Sequence, residues 1–228
     1  MVSKTDQEVT SEVPDQLYHT LLTVVDFHDD TSGYTRSTFP LGTHVSLPAA
    51  KEFAAHALEK LNYKPDDFAE YAVRTPSTAE DWKYGDGVIV YAKAPAGQEF
   101  QVRLDTTTNT ENLPAGGPGE TPKLPTGSAH LHYVIQTRVD YDQDRSGGLQ
   151  TTEIEGVYVH RRDALEAAKQ MLSGDRSEFA QYDEQKELGE QWPFGVDVVV
   201  HAVAQTGQNY TIAVRTVPGS HKKHAKKV

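Results

Sequence analysis

Hydrophobic and polar positions along the chain change period twice, and the same succession then occurs again. Leu21 to Phe27 and His132 to Tyr141 read as extended segments, each closed by a turn at Ser32-Gly33 or Ser146-Gly147 where glycine supplies a positive φ. A further strand follows each turn and ends near Val45 or Val159. The period then becomes helical. Pro48 to Leu61 sets Ala50, Phe53, Ala54, Ala57, Leu58 and Leu61 on one stripe, with proline in the first turn where its missing N–H is not needed. In the later copy Asp163 with Glu166 predicts a capping box, Leu165, Ala168 and Leu172 form the stripe, and Gly174 stops it. Alternation returns over Phe68 to Arg74, Gly87 to Ala94 and Glu99 to Thr106, the last two joined by a short turn at Gly97. Ser177 to Gln191 is rich in charge, and its match to the first copy assigns it strand and loop rather than helix.

The two passages also agree residue by residue. Val25-Asp26-Phe27-His28-Asp29-Asp30-Thr31-Ser32-Gly33 answers Val139-Asp140-Tyr141-Asp142-Gln143-Asp144-Arg145-Ser146-Gly147 at an offset of 114. Trp82-Lys83-Tyr84-Gly85 answers Trp192-Pro193-Phe194-Gly195 at an offset of 110, and Val88, Val90, Ala92 and Ala94 answer Val198, Val200, Ala202 and Ala204. Such ordered agreement marks an internal duplication. The fold class expected is therefore α+β: a tandem duplication of a small β-β-α-β-β-β domain, each copy an antiparallel sheet with one helix packed on one face. The expected boundaries are a disordered N-terminal tail over 1–17, a first repeat over 18–106, a Pro/Gly-rich linker over 107–128, a second repeat over 129–217 and a basic tail over 218–228. One helix covers one sheet face, so the other face must meet solvent, the other copy or a partner, and it is the first place to look for binding. The Glu99 to Thr106 strand is a candidate sheet edge for association with another chain.

Composition narrows the chemistry. The 228 residues include no cysteine, which removes disulfides, thiolate zinc sites, iron–sulfur clusters and a cysteine nucleophile. The net charge of −11 opposes nonspecific binding of nucleic acid or anionic lipid by the body of the chain. Its end runs the other way: His221-Lys222-Lys223-His224-Ala225-Lys226-Lys227 could attract a polyanion or act as a nuclear address, although a solvated terminus has the same composition. No apolar run reaches bilayer-spanning length and no secretory signal precedes the first strand, so an intracellular, cytoplasmic or nuclear protein without membrane contact is expected.

Two features carry candidate binding chemistry. Asp142-Gln143-Asp144-Arg145-Ser146-Gly147-Gly148-Leu149-Gln150-Thr151-Thr152-Glu153 resembles the calcium loop of the EF-hand family over these twelve residues. The resemblance implies oxygens from Asp142, Asp144 and Ser146, a carbonyl from Gly148 and a bidentate carboxylate from Glu153. An EF-hand needs helices on both sides, whereas the flanks here alternate like strands, and the first copy has Phe39 opposite Glu153. Asp-x-Ser-Gly is also ordinary turn chemistry. The second feature is the aromatic pair before a strand in each copy, Trp82 with Tyr84 and Trp192 with Phe194, which either closes a peptide or small-ligand groove or packs a corner.

Catalytic signatures are missing from the sequence. It has no His-Glu-x-x-His, phosphate-binding glycine loop, dinucleotide fingerprint or nucleophile elbow, and His130 with His132 lacks a third ligand at metal-binding spacing. The expectation is a non-catalytic binding protein with a protein or peptide partner and no obligatory cofactor. The alternatives are a calcium-binding module using the 142–153 loop and a small-molecule enzyme with its site between the two repeats.

Overall fold

The structure, a computed structural model, describes residues 13–116, 119–174, 176–186 and 192–220. The greater part of the expected N-terminal tail, the 187–191 end of the charge-rich segment and the lysine-rich end of the chain lie outside the described residues. Two five-stranded antiparallel sheets form the body. The first contains β1 (Gln16–Val25), β2 (Arg36–His44), β3 (Glu70–Val73), β4 (Val88–Lys93) and β5 (Glu99–Thr108) in the order β2-β1-β5-β4-β3. The second contains β6 (His132–Asp140), β7 (Gln150–Tyr158), β8 (Phe179–Glu184), β9 (Val198–Ala204) and β10 (Gln208–Arg215) in the order β7-β6-β10-β9-β8. Helix α1 (Leu47–Ala55), a short α2 (Ala57–Lys60) and α3 (Arg161–Gln170) complete an α+β architecture. Among the described residues no helix is long and apolar enough to cross a membrane.

Local departures from the sequence reading have identifiable causes. The single helix expected over 48–61 is broken at His56, whose ring Nδ1 lies 3.0 Å from the Glu52 carbonyl oxygen. The expected capping box at Asp163 is not formed. The helix begins three residues earlier with His160 as its N-cap, which makes no side-chain cap bond, and Asp163 lies in the first turn where its charge suits the helix dipole. The Glu99 strand is central rather than an edge, because β5 pairs with β1 from Gln16↔Thr108 to Val25↔Glu99 and with β4 on its other side.

Strand alternation distributes the core into three clusters. On one side of the first sheet Leu22, Val90, Phe100 and Val102 meet Ala54, Ala57 and Leu58 of the helical segment. On one side of the second sheet Val134, Val200, Ile212 and Val214 meet Ala164 and Ala168 of α3. A third cluster joins the halves: Leu17 and Leu21 of β1 pack with Tyr133 and Ile135 of β6, Ile154 and Val157 of β7, and Leu113 and Leu131 of the intervening chain. The layers therefore run helix, sheet, sheet, helix. Of the three covers expected for the second sheet face, solvent, the other copy or a partner, the structure shows the other half of the chain.

The contacts between the halves are reciprocal. The Arg36 guanidinium donates to the Gly33 carbonyl at 2.7 Å and to the Gly148 carbonyl of the other half at 2.6 Å. Gln150, 114 positions later, donates to the Gly147 carbonyl at 2.8 Å and to the Tyr34 carbonyl of the other half at 2.9 Å. Thr23 and Thr38 pair through their hydroxyls at 3.0 Å, as Thr137 and Thr152 do. The two turns approach so closely that a Cβ on Gly148 would lie 2.3 Å from the Ser32 carbonyl oxygen. The proline-rich connection is packed as well. Leu113 is buried and held at both backbone polar groups by the Asn109 side chain, and the Val45 N–H donates to the Glu120 carbonyl at 2.8 Å.

Candidate functional site

The turn between β6 and β7 spends its oxygens on its own backbone. The Asp144 carboxylate accepts from the Ser146 N–H at 2.9 Å, the Ser146 hydroxyl at 2.6 Å and the Leu149 N–H at 3.0 Å. Asp30 does the same in the first half with the Ser32 N–H, the Ser32 hydroxyl and the Thr35 N–H. These bonds favour the charged carboxylate, led by the serine hydroxyl in each case, pulling Asp30 down to about 2 and Asp144 below its ordinary value. The structure gathers Asp142, Asp144, Ser146 and Gly148 in one turn but flanks it with strands. It places Glu153 in β7 opposite Gln136 and gives the Gly148 carbonyl to Arg36. Among the described residues no group of three or more His, Asp or Glu side chains is arranged to hold a metal ion.

The aromatic pairs lie at half-buried corners beside the outer strands. Trp82 meets Tyr84 edge to face at 4.9 Å, and Tyr84 stacks on Tyr91 of β4 at 4.2 Å while its hydroxyl donates to Glu70 of β3. Lys83 completes the corner, 3.4 Å from the Glu70 carboxylate and 5.0 Å from the Tyr84 ring centre. In the second half Trp192 meets Phe194 at 4.9 Å, and Phe194 stacks on His201 of β9 at 3.9 Å. Burial lowers the His201 pKa, and Asp183, 3.6 Å away, opposes that shift. All four rings are thus engaged within their own half, against β4 and β9, the strands next to the sheet edges.

The cleft between the halves, the place expected for an enzyme site, has a volume of about 600 Å³ and is lined by Thr43, Leu124, Leu131, Tyr133 and Val217 among others. The Tyr133 and Thr43 hydroxyls are 2.9 Å apart, and burial pushes the Tyr133 phenol up to about 12. That shift moves the phenol away from the range in which a side chain exchanges protons at neutral pH.

Sequence reasoning missed the larger groove, about 1020 Å³, between the α1 segment and the turn at Gly119-Glu120. Gly42 makes it possible: with no Cβ, it lets the Phe53 ring approach to 3.3 Å of the position that Cβ would occupy. Phe53 packs against the His44 ring at 4.8 Å, and Lys60 lies 5.6 Å from the Phe53 ring centre. Glu120 accepts a hydrogen bond from the hydroxyl of Ser46, the α1 N-cap, and so ties the turn to the helix start. Glu52 and Glu59 stand on the rim with His56. His44 is 4% exposed, and its Nδ1 is buried with no hydrogen-bond partner. Burial, the largest influence, lowers its pKa, so the ring is neutral at pH 7.

A smaller groove of about 290 Å³ lies beside α3 in the second half, lined by Gly156, Tyr158 and Ala167, each 114 positions after Gly42, His44 and Phe53. The sequence does hold a signal for this pair: Gly42-Thr43-His44 and Gly156-Val157-Tyr158 at an offset of 114. No family model, curated protein or solved structure matches the chain.

Proposed function

We propose that the chain is a non-catalytic binding protein, a tandem duplication of a β-β-α-β-β-β domain with repeats over 18–106 and 129–217, whose first repeat receives a basic segment of a protein or peptide partner in the groove beside α1. The duplication is supported by the matching strand orders, the sequence offsets of 114 and 110 and the reciprocal contacts of Arg36 and Gln150. The observation that carries the binding reading is the buried, unpartnered Nδ1 of His44 in the wall of a groove whose rim sets Glu52, Glu59 and Glu120 against Lys60. A lone polar atom in that position costs free energy, which a lysine or arginine side chain recovers if the groove wall opens to it, while the rim carboxylates supply the opposite charge. The net charge of −11 adds long-range attraction for such a segment.

The test is an NMR titration of the full chain with a short lysine- and arginine-containing peptide and with the same peptide carrying glutamates instead. The reading expects saturable shifts centred on His44, Phe53 and His56 with the basic peptide alone, and weakening in Glu120→Gln. Equal response to both peptides, or shifts centred elsewhere, would remove the groove from consideration.

A further inference from the structure

A separate cavity of about 400 Å³ opens where the edge of the first sheet meets the second half. Phe39 and Pro40 of β2 and Val214 of β10 give it an apolar wall, while Arg215 of β10, His132 of β6 and Arg161 at the start of α3 bring basic groups. Asp197 is the acidic residue in its lining. In a chain of net charge −11 this is a local reversal of sign.

The fold satisfies Arg215 only in part and Arg161 not at all by an ion pair among the described residues. Arg215 is half-buried. One terminal nitrogen donates to the Thr38 carbonyl, whereas its Nε is buried without a hydrogen-bond partner. Asp197 offsets part of the cost of taking this guanidinium out of water, and a bound oxyanion would offset more. Arg161 occupies the first turn of the ten-residue α3, where the positive end of the helix dipole favours acids over cations. Among the described residues no carboxylate lies within ion-pair distance of it, unlike Arg162, which pairs with Asp163 at 3.2 Å. Helix stability alone therefore does not account for a cation at that position.

Packing between the halves uses only part of this charge, through the Arg215 bond to the Thr38 carbonyl. The positions corresponding to Arg161, His132, Asp197 and Arg215 in the first half are Leu47, Tyr18, Gly87 and Asp105. There the Asp105 carboxylate accepts the Ile154 N–H at 2.7 Å, so the equivalent junction is closed by an acid. The basic cavity is an addition to one half of a repeated frame.

We infer that this cavity binds a small organic oxyanion, a carboxylate or phosphate monoester, with its charged end held by Arg161 and Arg215 and its apolar part against Phe39. Arginine presents a planar fork that matches either oxyanion. Phe39 is 36% exposed and lends apolar surface to the cavity for an aromatic or aliphatic tail.

Calorimetric titration of the full chain with inorganic phosphate, phenyl phosphate and benzoate tests the site. Saturable binding of phenyl phosphate or benzoate, tighter than that of inorganic phosphate, is expected, and the tighter of the two identifies the headgroup. Arg161→Gln should weaken it about tenfold or more, a loss of about 1.4 kcal/mol, while Arg162→Gln on the neighbouring exposed position leaves it unchanged. No saturable binding of either aromatic anion, or equal weakening by the two substitutions, would overturn the proposal. His44→Phe separates this site from the basic-peptide groove, because it removes that groove's unpartnered nitrogen and should leave oxyanion binding intact.

Discussion

His19 and Tyr133 are 114 residues apart, and their rings meet edge to face across the junction of the two sheets at 5.9 Å. They also share one chain of hydrogen bonds. Thr107 Oγ1 lies 2.8 Å from His19 Nε2, His19 Nδ1 lies 2.9 Å from Thr43 Oγ1, and Thr43 Oγ1 lies 2.9 Å from the Tyr133 hydroxyl. Both His19 nitrogens are thereby satisfied without a charge. An apolar junction is thus given a polar thread that specifies which residue of one half faces which residue of the other.

That thread makes stability depend on pH. Burial, with a smaller contribution from His44, lowers the pKa of His19 to about 3 in the folded chain, against 6.5 for a free imidazole. The unfolded chain takes up a proton near 6.5 that the folded chain refuses until about 3. The stability conferred by the neutral ring is therefore complete above pH 6.5 and is lost progressively as pH falls toward 3, by roughly 3–5 kcal/mol in all. Urea unfolding between pH 7 and pH 4 should show the midpoint falling, and His19→Gln, which keeps hydrogen-bonding groups but cannot titrate, should flatten that dependence.

The approach of the two hairpin turns predicts a second effect. Gly148→Ala places a methyl group 2.3 Å from the Ser32 carbonyl oxygen, a backbone atom that cannot swing aside. The turns must separate, weakening the bonds of Arg36 and Gln150 together, at a cost of about 1–3 kcal/mol. Gly174→Ala meets no atom within 4 Å and should be neutral or slightly stabilising. Thermal unfolding of the two variants side by side measures the difference.

The aromatic corners predict a spectroscopic effect. Phe194 stacks on His201 at 3.9 Å and keeps water from a ring whose pKa burial lowers. Phe194→Ala should therefore move His201 up toward the ordinary histidine value and destabilise the chain by roughly 2–4 kcal/mol. Histidine resonances followed through a pH titration report the first change, and urea unfolding reports the second. An unchanged His201 titration with full stability would mean that the ring does not cover the sheet.

Much of the fold was legible because its signals are local. The turn at Asp144-Arg145-Ser146-Gly147, the Ala50–Ala54–Leu58 stripe and the paired positions of Trp82 and Trp192 each follow from neighbouring residues. Strand order was less accessible, since β1 pairs with β5 across more than seventy intervening residues and alternation carries no record of which strand lies beside which. The covering of the second sheet face was half visible in Leu21-Leu22, adjacent leucines that point to opposite faces of a strand and so require burial on both. Alternation could not say that the cover is the other half. The groove at His44 was hidden because its walls come from the end of β2, from α1 and from the distant turn at Glu120, and because a buried unpartnered nitrogen is a property of packing rather than of residue type.

The buried junction also decides whether either half can exist alone. Leu17 and Leu21 from one half, and Tyr133 and Ile135 from the other, are at most 2% exposed in the intact chain, and separating the halves would return them to water. Each large apolar side chain so exposed forfeits about 1.5–3 kcal/mol, which a unit of about 90 residues has little margin to absorb. A fragment ending within the 107–128 connection and one beginning there should therefore self-associate or precipitate when expressed singly. Co-expressed, they should assemble one to one, held by the reciprocal bonds of Arg36 and Gln150. Analytical ultracentrifugation distinguishes these outcomes. Two well-behaved monomeric fragments that ignore each other would show that the face between the sheets is dispensable.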